Sequence, residues 1–208
     1  MKNNYDHIAG MYDFLSRLVY GRAQVQVQLD LLPYIKPGSR ILIVGGGSGW
    51  ILEEIATRHA SGLEIVYVEI SIRMLRLSKK RHYGKNKVTF IHGAIEDTTL
   101  TGDFDTVITA FLFDNFAEKR VTTVFNLLNA QLKPSGIWLF ADFVLENGHA
   151  GLWKKIILKL MYTFFRLICH VEAKHLVNMS PFFKNYEPLA SSVKYFGFIK
   201  GIAYQKSC

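Results

Sequence analysis

The feature that most restricts what this chain can become is the run Ile41–Trp50, ILIVGGGSGW. Four apolar residues lead straight into Gly45, Gly46, Gly47, Ser48 and Gly49. A short apolar run bounded by turn residues reads as a strand buried on both faces. Glycines after it allow backbone conformations closed to other residues and let another group come close to the main chain. A helical pattern starting at Trp50 completes a strand, a turn and a helix. In a parallel sheet such a turn lies at the C-terminal edge, where open α/β sheets bind ligands and where the first N–H groups of the helix point outward. Gly45, Gly47 and Gly49 are spaced G-x-G-x-G. The dinucleotide fingerprint G-x-G-x-x-G would place its last glycine at position 50. That position holds Trp50, whose indole argues against a pyrophosphate site.

The rest of the chain repeats the same alternation. Strands are expected at Arg40–Val44, Glu64–Val68, Val88–His92, Asp105–Ala110 and Ile137–Phe143. Helices are expected at Val25–Leu32, Trp50–His59, Ser71–His82 and Glu118–Leu132, the third opened by a serine cap. Lys133-Pro134-Ser135-Gly136 reads as a stop signal. Ser192–Tyr195 and Ile199–Gln205 flank a Phe196-Gly197 turn and suggest a closing hairpin. This is the pattern of an α/β fold with a parallel sheet, and 208 residues suit a single domain.

Composition excludes several classes. Half of the residues are apolar and 13% aromatic, which is incompatible with a disordered chain. The N-terminal MKNNYDHIAG has no apolar signal-peptide core. Cys169 and Cys208 form neither a disulfide framework nor a metal-binding spacing, and free thiols in a reducing cytoplasm are expected. The seven histidines make no HxxxH or HxH pair, so no metal site is expected. Net charge is +8, concentrated late in the chain: residues 151–208 hold nine basic and two acidic side chains. Such a field attracts anions, whether nucleic acid, a membrane surface or an acidic ligand.

Glu69 ends the apolar run VYVE, 20 residues after Gly49. A carboxylate at the end of the second strand of a βαβ unit can accept hydrogen bonds from both ribose hydroxyls of a nucleoside. With that residue in place, the chain resembles the class I S-adenosylmethionine-dependent methyltransferases. ILIVGGGSG is similar to their first motif and VYVEIS with RML to their second. LKPSGIWLFADF is similar to the motif around their fifth strand. YDHIAGMYDFLSRLVYG, Tyr5–Gly21, looks like the opening of the ubiquinone/menaquinone biosynthesis group.

The resemblance implies a Rossmann-like doubly wound seven-stranded sheet whose last strand is antiparallel. It divides the chain into an N-terminal helical cover (1–35), a cofactor-binding core (36–145), a helical lid insertion (146–190) and a closing hairpin (191–208). It also assigns roles around S-adenosylmethionine. Gly45, Gly47 and Gly49 would carry its methionine part and Glu69 its ribose. Ile70 and Met74 would pack on the adenine. The Ile95 amide would meet the adenine ring, and Ala94 stands where relatives often place an acidic adenine acceptor. Phe111 would face the sulfonium, a contact that cation–π attraction favours. Tyr12 would fold over the cofactor. There are two departures: Ala94, and Ile43 where the family usually has an acid. Glu96 or Asp97 is the nearest substitute acceptor.

Leu152–Val171 places Lys155, Lys159, Arg166 and His170 on one narrow stripe, with apolar residues over most of the rest. This is expected to be a lid over a hydrophobic acceptor pocket. Its cations would allow a peripheral contact with anionic lipid. The acceptor is expected to be a small hydrophobic molecule, quinone-like or lipid-like. An O- or C-nucleophile needs a base, and His7, Tyr12, Asp114 and His149 are the candidates near the expected mouth. Ala110-Phe111-Leu112-Phe113 replaces the Asn-Pro-Pro-Tyr type motif of base methylation, which argues against nucleic acid. The alternatives are a non-catalytic cofactor-binding relative and an RNA methyltransferase.

Overall fold

The computed structural model describes residues 21–145, 173 and 175–207. Seven strands form one sheet in the order β3-β2-β1-β4-β5-β7-β6. They are β1 (Arg40–Val44), β2 (Ser61–Glu69), β3 (Lys85–His92), β4 (Phe104–Ala110), β5 (Leu132–Phe143), β6 (Tyr186–Lys194) and β7 (Ile199–Lys206). The α-helices among the described residues are α1 (Ala23–Leu29), α2 (Trp50–Arg58), α3 (Ile72–Ser78) and α4 (Glu118–Gln131). The first five strands pair in parallel, and β7 runs antiparallel to both β5 and β6. This is the expected Rossmann-like sheet.

The strand sequences explain the layering. Successive side chains in a strand point to opposite faces. Leu42, Val44, Val66 and Val68 bury themselves on one face with α4 residues Val121, Val124, Phe125 and Leu128. Ile41, Ile43, Ile65 and Tyr67 bury themselves on the other with Ile51, Leu52 and Ile55 of α2 and Leu75 of α3. Both faces are covered, so the central strands read as unbroken apolar runs rather than as alternating ones. Ile43 lies within this second layer at 1% exposure, so the residue that departs from the family's acid packs in the core.

Several boundaries differ from expectation. The third helix stops at Ser78, whose hydroxyl donates back to the Leu75 carbonyl and whose backbone is pressed under Gly49. β5 begins at Leu132, and the expected turn survives inside it as a register irregularity with Ser135 at φ 60°. β6 starts at Tyr186, so the hairpin takes in residues assigned to the lid insertion. Its solvent-facing Glu187, Leu189 and Ser191 hide the apolar signal of a strand, and a register shift falls between Pro188 and Ala190.

Two features aim the molecule at a ligand. The strand order reverses between β1 and β4, the switch point at which such sheets open a crevice at their C-terminal edge. The antiparallel β7 brings its first residue, Ile199, opposite Phe143 at the end of β5. The turn before β7 therefore stands at that same edge.

Candidate functional site

The crevice at the switch point is a cleft of about 1200 Å³ of empty space, its open mouth included. Its walls come from the turn after β1 (Gly45–Ser48), the end of β2 (Glu69, Ile70), Met74 of α3, and Gly93–Glu96 after β3. Ala110, Phe111, Leu112, Asn115 and Phe116 after β4 complete them, with Arg120 of α4 and Gln24, Val25 and Gln28 of α1.

The glycine turn is staked from β2. The amide of Gly47 donates to Glu69 Oε2 at 3.0 Å, and the Tyr67 hydroxyl donates to the Gly47 carbonyl at 3.0 Å. The other Glu69 oxygen, Oε1, accepts from the Ser71 amide at 2.9 Å, at the start of the helix whose cap is Ser71 itself. Glu69 thus ties the first turn to the second and presents a buried carboxylate on the cleft wall. A carboxylate can accept about four hydrogen bonds.

Each glycine answers a different need. A Cβ at Gly46 would lie 2.5 Å from the Tyr67 hydroxyl oxygen. At Gly49 it would meet the Ser78 backbone at 2.6 Å. At Gly47, which has φ 62°, it would meet nothing within 4 Å. The close packing at Gly46 and Gly49 therefore builds the turn, and the left-handed Gly47 faces open space. Gly46→Ala is expected to lower the stability of the chain by about 1–3 kcal/mol, because the Tyr67 ring is buried and overpacking is not relieved. Thermal unfolding of the variant measures it.

The far wall is apolar with a polar corner. Phe111 adopts φ 53°, and its amide donates to the Ala141 carbonyl at 2.8 Å. Asn115 holds the Phe111 carbonyl at 2.9 Å. Arg120 stacks 4.2 Å from the centre of the Phe116 ring and donates to Glu96 at 2.6 Å. Glu96, a substitute acceptor on sequence grounds, is therefore on the wall and bonded to Arg120.

Of the residues singled out from sequence, Gly45, Gly47, Glu69, Ile70, Met74, Ala94, Ile95 and Phe111 all line this one cleft. Gly49 sits outside its lining, packed on α3. Asp114 does not reach the cleft either. It is buried behind the Phe111–Asn115 turn, with its Oδ1 accepting from Asn115 at 2.7 Å and its amide donating to Asp142 at 3.3 Å. Burial raises the pKa of both carboxyls, and the charge of Asp114 raises Asp142 further. Tyr12, His7, His149 and the Leu152–Val171 segment lie outside the described residues. Among the described residues no cluster of ligating side chains suits a metal. Sequence reasoning missed Gln24 and Gln28. Their i, i+4 spacing marks one face of α1, a signal masked by the two-residue alternation of AQVQVQL.

Residues 41–136 match the sequence profile described as a methyltransferase domain. That stretch, just under half of the chain, carries the pattern of a methyltransferase domain. It is 30% identical over 105 residues to the cyclopropane-fatty-acyl-phospholipid synthase of Escherichia coli K12, covering 50% of this chain and 26% of that enzyme. It is 33% identical over 142 residues to the demethylmenaquinone methyltransferase of Clavibacter sepedonicus, covering 67% of this chain and 56% of the relative. The chain therefore spans about a quarter of the first relative and just over half of the second. Among solved structures, the magnesium protoporphyrin IX methyltransferase of Synechocystis PCC 6803 with bound SAH is similar in fold. The TM-score is 0.62 at 16% identity, over 88% of this chain and 82% of that one. The cofactor of this domain class is S-adenosylmethionine, and the residues of the cleft suit it. The backbone at Gly47 borders open space, and the Glu69 carboxylate lies on the same wall.

Proposed function

We propose that this chain transfers a methyl group from S-adenosylmethionine to a small hydrophobic acceptor, quinone-like or lipid-like. The observation that carries the reading is Glu69, anchored by the Gly47 and Ser71 amides at the edge of a large cleft whose far wall is Val25, Ala110, Phe111, Leu112 and Phe116. The cofactor supplies an electrophilic methyl on a sulfonium, with a neutral leaving group. The chain then has only to align the nucleophile and exclude water. Glu69 would hold the ribose, and Gly45–Ser48 the amino-acid end. Ile70 and Met74 would pack against the adenine beside Ala94 and Ile95. Phe111, set at the end of β4 by its bond to Ala141, would border the transferred methyl. Asp114, a candidate base on sequence grounds, is buried off this path.

The test is thermal unfolding with S-adenosylmethionine, followed by transfer of a labelled methyl to quinone precursors, phospholipids and RNA. A melting point raised by mass action, with label on the quinone or lipid class, supports the reading. No shift at millimolar cofactor overturns it. One observation favours a second reading: Ala94 lines the cleft where relatives often place an acid. Cofactor binding without turnover on any acceptor would make the chain a non-catalytic relative.

A further inference from the structure

Two polar side chains on the cleft wall are given no task by the cofactor. Glu69 is tied to the Gly47 and Ser71 amides, Glu96 to Arg120, and Asn115 to the Phe111 carbonyl. Gln24 and Gln28 differ. They stand one turn apart on α1, where i, i+4 side chains are neighbours. Gln28 Nε2 donates to the Gln24 carbonyl at 2.9 Å. A carbonyl only accepts, so the nitrogen end of Gln28 faces it and the oxygen end is left over. Among the described residues, that oxygen and the whole side-chain amide of Gln24 make no hydrogen bond.

The helix that carries them is fixed from two sides. A Cβ on Gly201 of β7 would meet Val27 Cγ2 at 2.7 Å and the Val27 carbonyl oxygen at 3.2 Å, so α1 lies directly on the strand. Just past its last turn, Asp30 pairs with Lys194 at 2.8 Å and accepts from Ser192 Oγ at 2.7 Å, both on β6. α1 thus packs on β5, β7 and β6, to one side of the switch point. Glu69 and the Gly93–Glu96 wall belong to the other side, at β2 and β3. A nucleoside gripped at Glu69 leaves the α1 side of the cleft to the second substrate. Val25, Phe111 and Leu112 offer that substrate an apolar wall. Gln28 also borders a small void lined by Leu31, Ile51 and Ala141. In such surroundings a hydrogen bond is stronger than in water, and leaving one unmade is costly.

We propose that Gln28 and Gln24 select the methyl acceptor by a neutral hydroxyl on a flat apolar ring. Gln28 Oε1 accepts the hydroxyl hydrogen, and the Gln24 amide donates to the hydroxyl oxygen. The contact orients the ring and moves no proton. An unsaturated acyl chain has no donor to offer Gln28, so the pair favours a phenol-like acceptor over a lipid one. The assignment rests on the methyl-transfer reading of the cleft and gives that reading an acceptor class.

The experiment titrates 1-naphthol, 1-methoxynaphthalene and naphthalene into the full chain held with S-adenosylhomocysteine, and reads binding by calorimetry. The parent is expected to bind the naphthol about tenfold more tightly than its methyl ether. Naphthalene, smaller than both, is expected to bind as weakly as the ether, which sets steric exclusion aside. Gln28→Met keeps the length of the side chain without its hydrogen bond, and is expected to bind the three within about twofold of one another. Gln24→Met is expected to narrow the preference. Gln26→Met, on the exposed face where Gln26 bonds to Asp30, is expected to keep the parent's preference. Thermal unfolding with S-adenosylmethionine is run on every chain. If the parent's melting point ignores the cofactor, the reading of the cleft falls and the acceptor assignment with it. If the parent responds to the cofactor but binds naphthol and ether alike, or if Gln28→Met keeps the preference, only the assignment is overturned. Transfer of a labelled methyl to the unsaturated acyl chains of phosphatidylglycerol vesicles also overturns it.

Discussion

Glu69→Ala is expected to abolish the rise in melting temperature that S-adenosylmethionine produces in the parent chain. Hydrogen bonds to a charged group are worth about 1.5–3 kcal/mol each, and the variant would lose those to the ribose. It would also lose the acceptor that joins the Gly47 amide to the Ser71 amide, so the turn proposed to receive the amino-acid part would lose its anchor. Two such bonds correspond to an affinity loss of about two orders of magnitude or more. At a cofactor concentration of about 100 times the parent Kd, linkage gives the parent roughly 2.7 kcal/mol of added stability, and the variant only a few tenths. Calorimetric titration measures the same loss directly. A variant that keeps the parent affinity would remove the ribose contact from the account and with it the reading of the cleft.

The second large effect concerns Asp114 and Asp142. Both are buried, and their pKa values are raised by burial, that of Asp142 also by its neighbour. They titrate as a pair, so the retained proton belongs to both. The folded chain therefore holds protons that the unfolded chain releases near pH 4, the ordinary value for aspartate. The unfolded state then binds fewer protons, and stability falls as pH rises from about 4 toward neutrality. The slope is about 1.4 kcal/mol per pH unit for each proton involved. Asp114→Asn removes one member of the pair and leaves an oxygen that can still accept from Asn115. It is expected to flatten this decline, so that its advantage over the parent grows from pH 4 to pH 7. Asp30 and Asp105 have lowered pKa values, Asp30 to about 2 through its bonds to Lys194 and Ser192. Their stabilising contribution is lost only below pH 4, so the two windows separate. Melting temperatures of parent and variant across pH 4–8 check this, and parallel curves would remove the buried pair from the account.

Much of this architecture could be read from the chain, and the reasons are local. Arg40–Val44 and Glu69 were legible because a strand buried on both faces leaves an unbroken apolar run and the carboxylate closes the next one. The glycine turn was legible because close approach to backbone excludes side chains. What sequence could not separate was which glycine serves which contact, because Tyr67 and Ser78 reach the turn only through the fold. Asp114 looked like a base at the mouth because it follows β4 closely. The short 3-10 turn Phe113–Asn115 instead carries it inward against Asp142. β6 was read too short because an outer strand faces water on one side and so lacks the apolar run of its neighbours. The glutamines of α1 were missed because their role depends on how that helix lies across the sheet.

That outer strand has one more consequence. Pro188 has no N–H to offer, and the pairing slips beside it between Pro188 and Ala190. A ladder broken in this way is a poor template for a further strand. The margin of the sheet at β6 is thereby guarded against end-to-end stacking of copies into fibres, even though Leu189 and Val193 point to solvent along it.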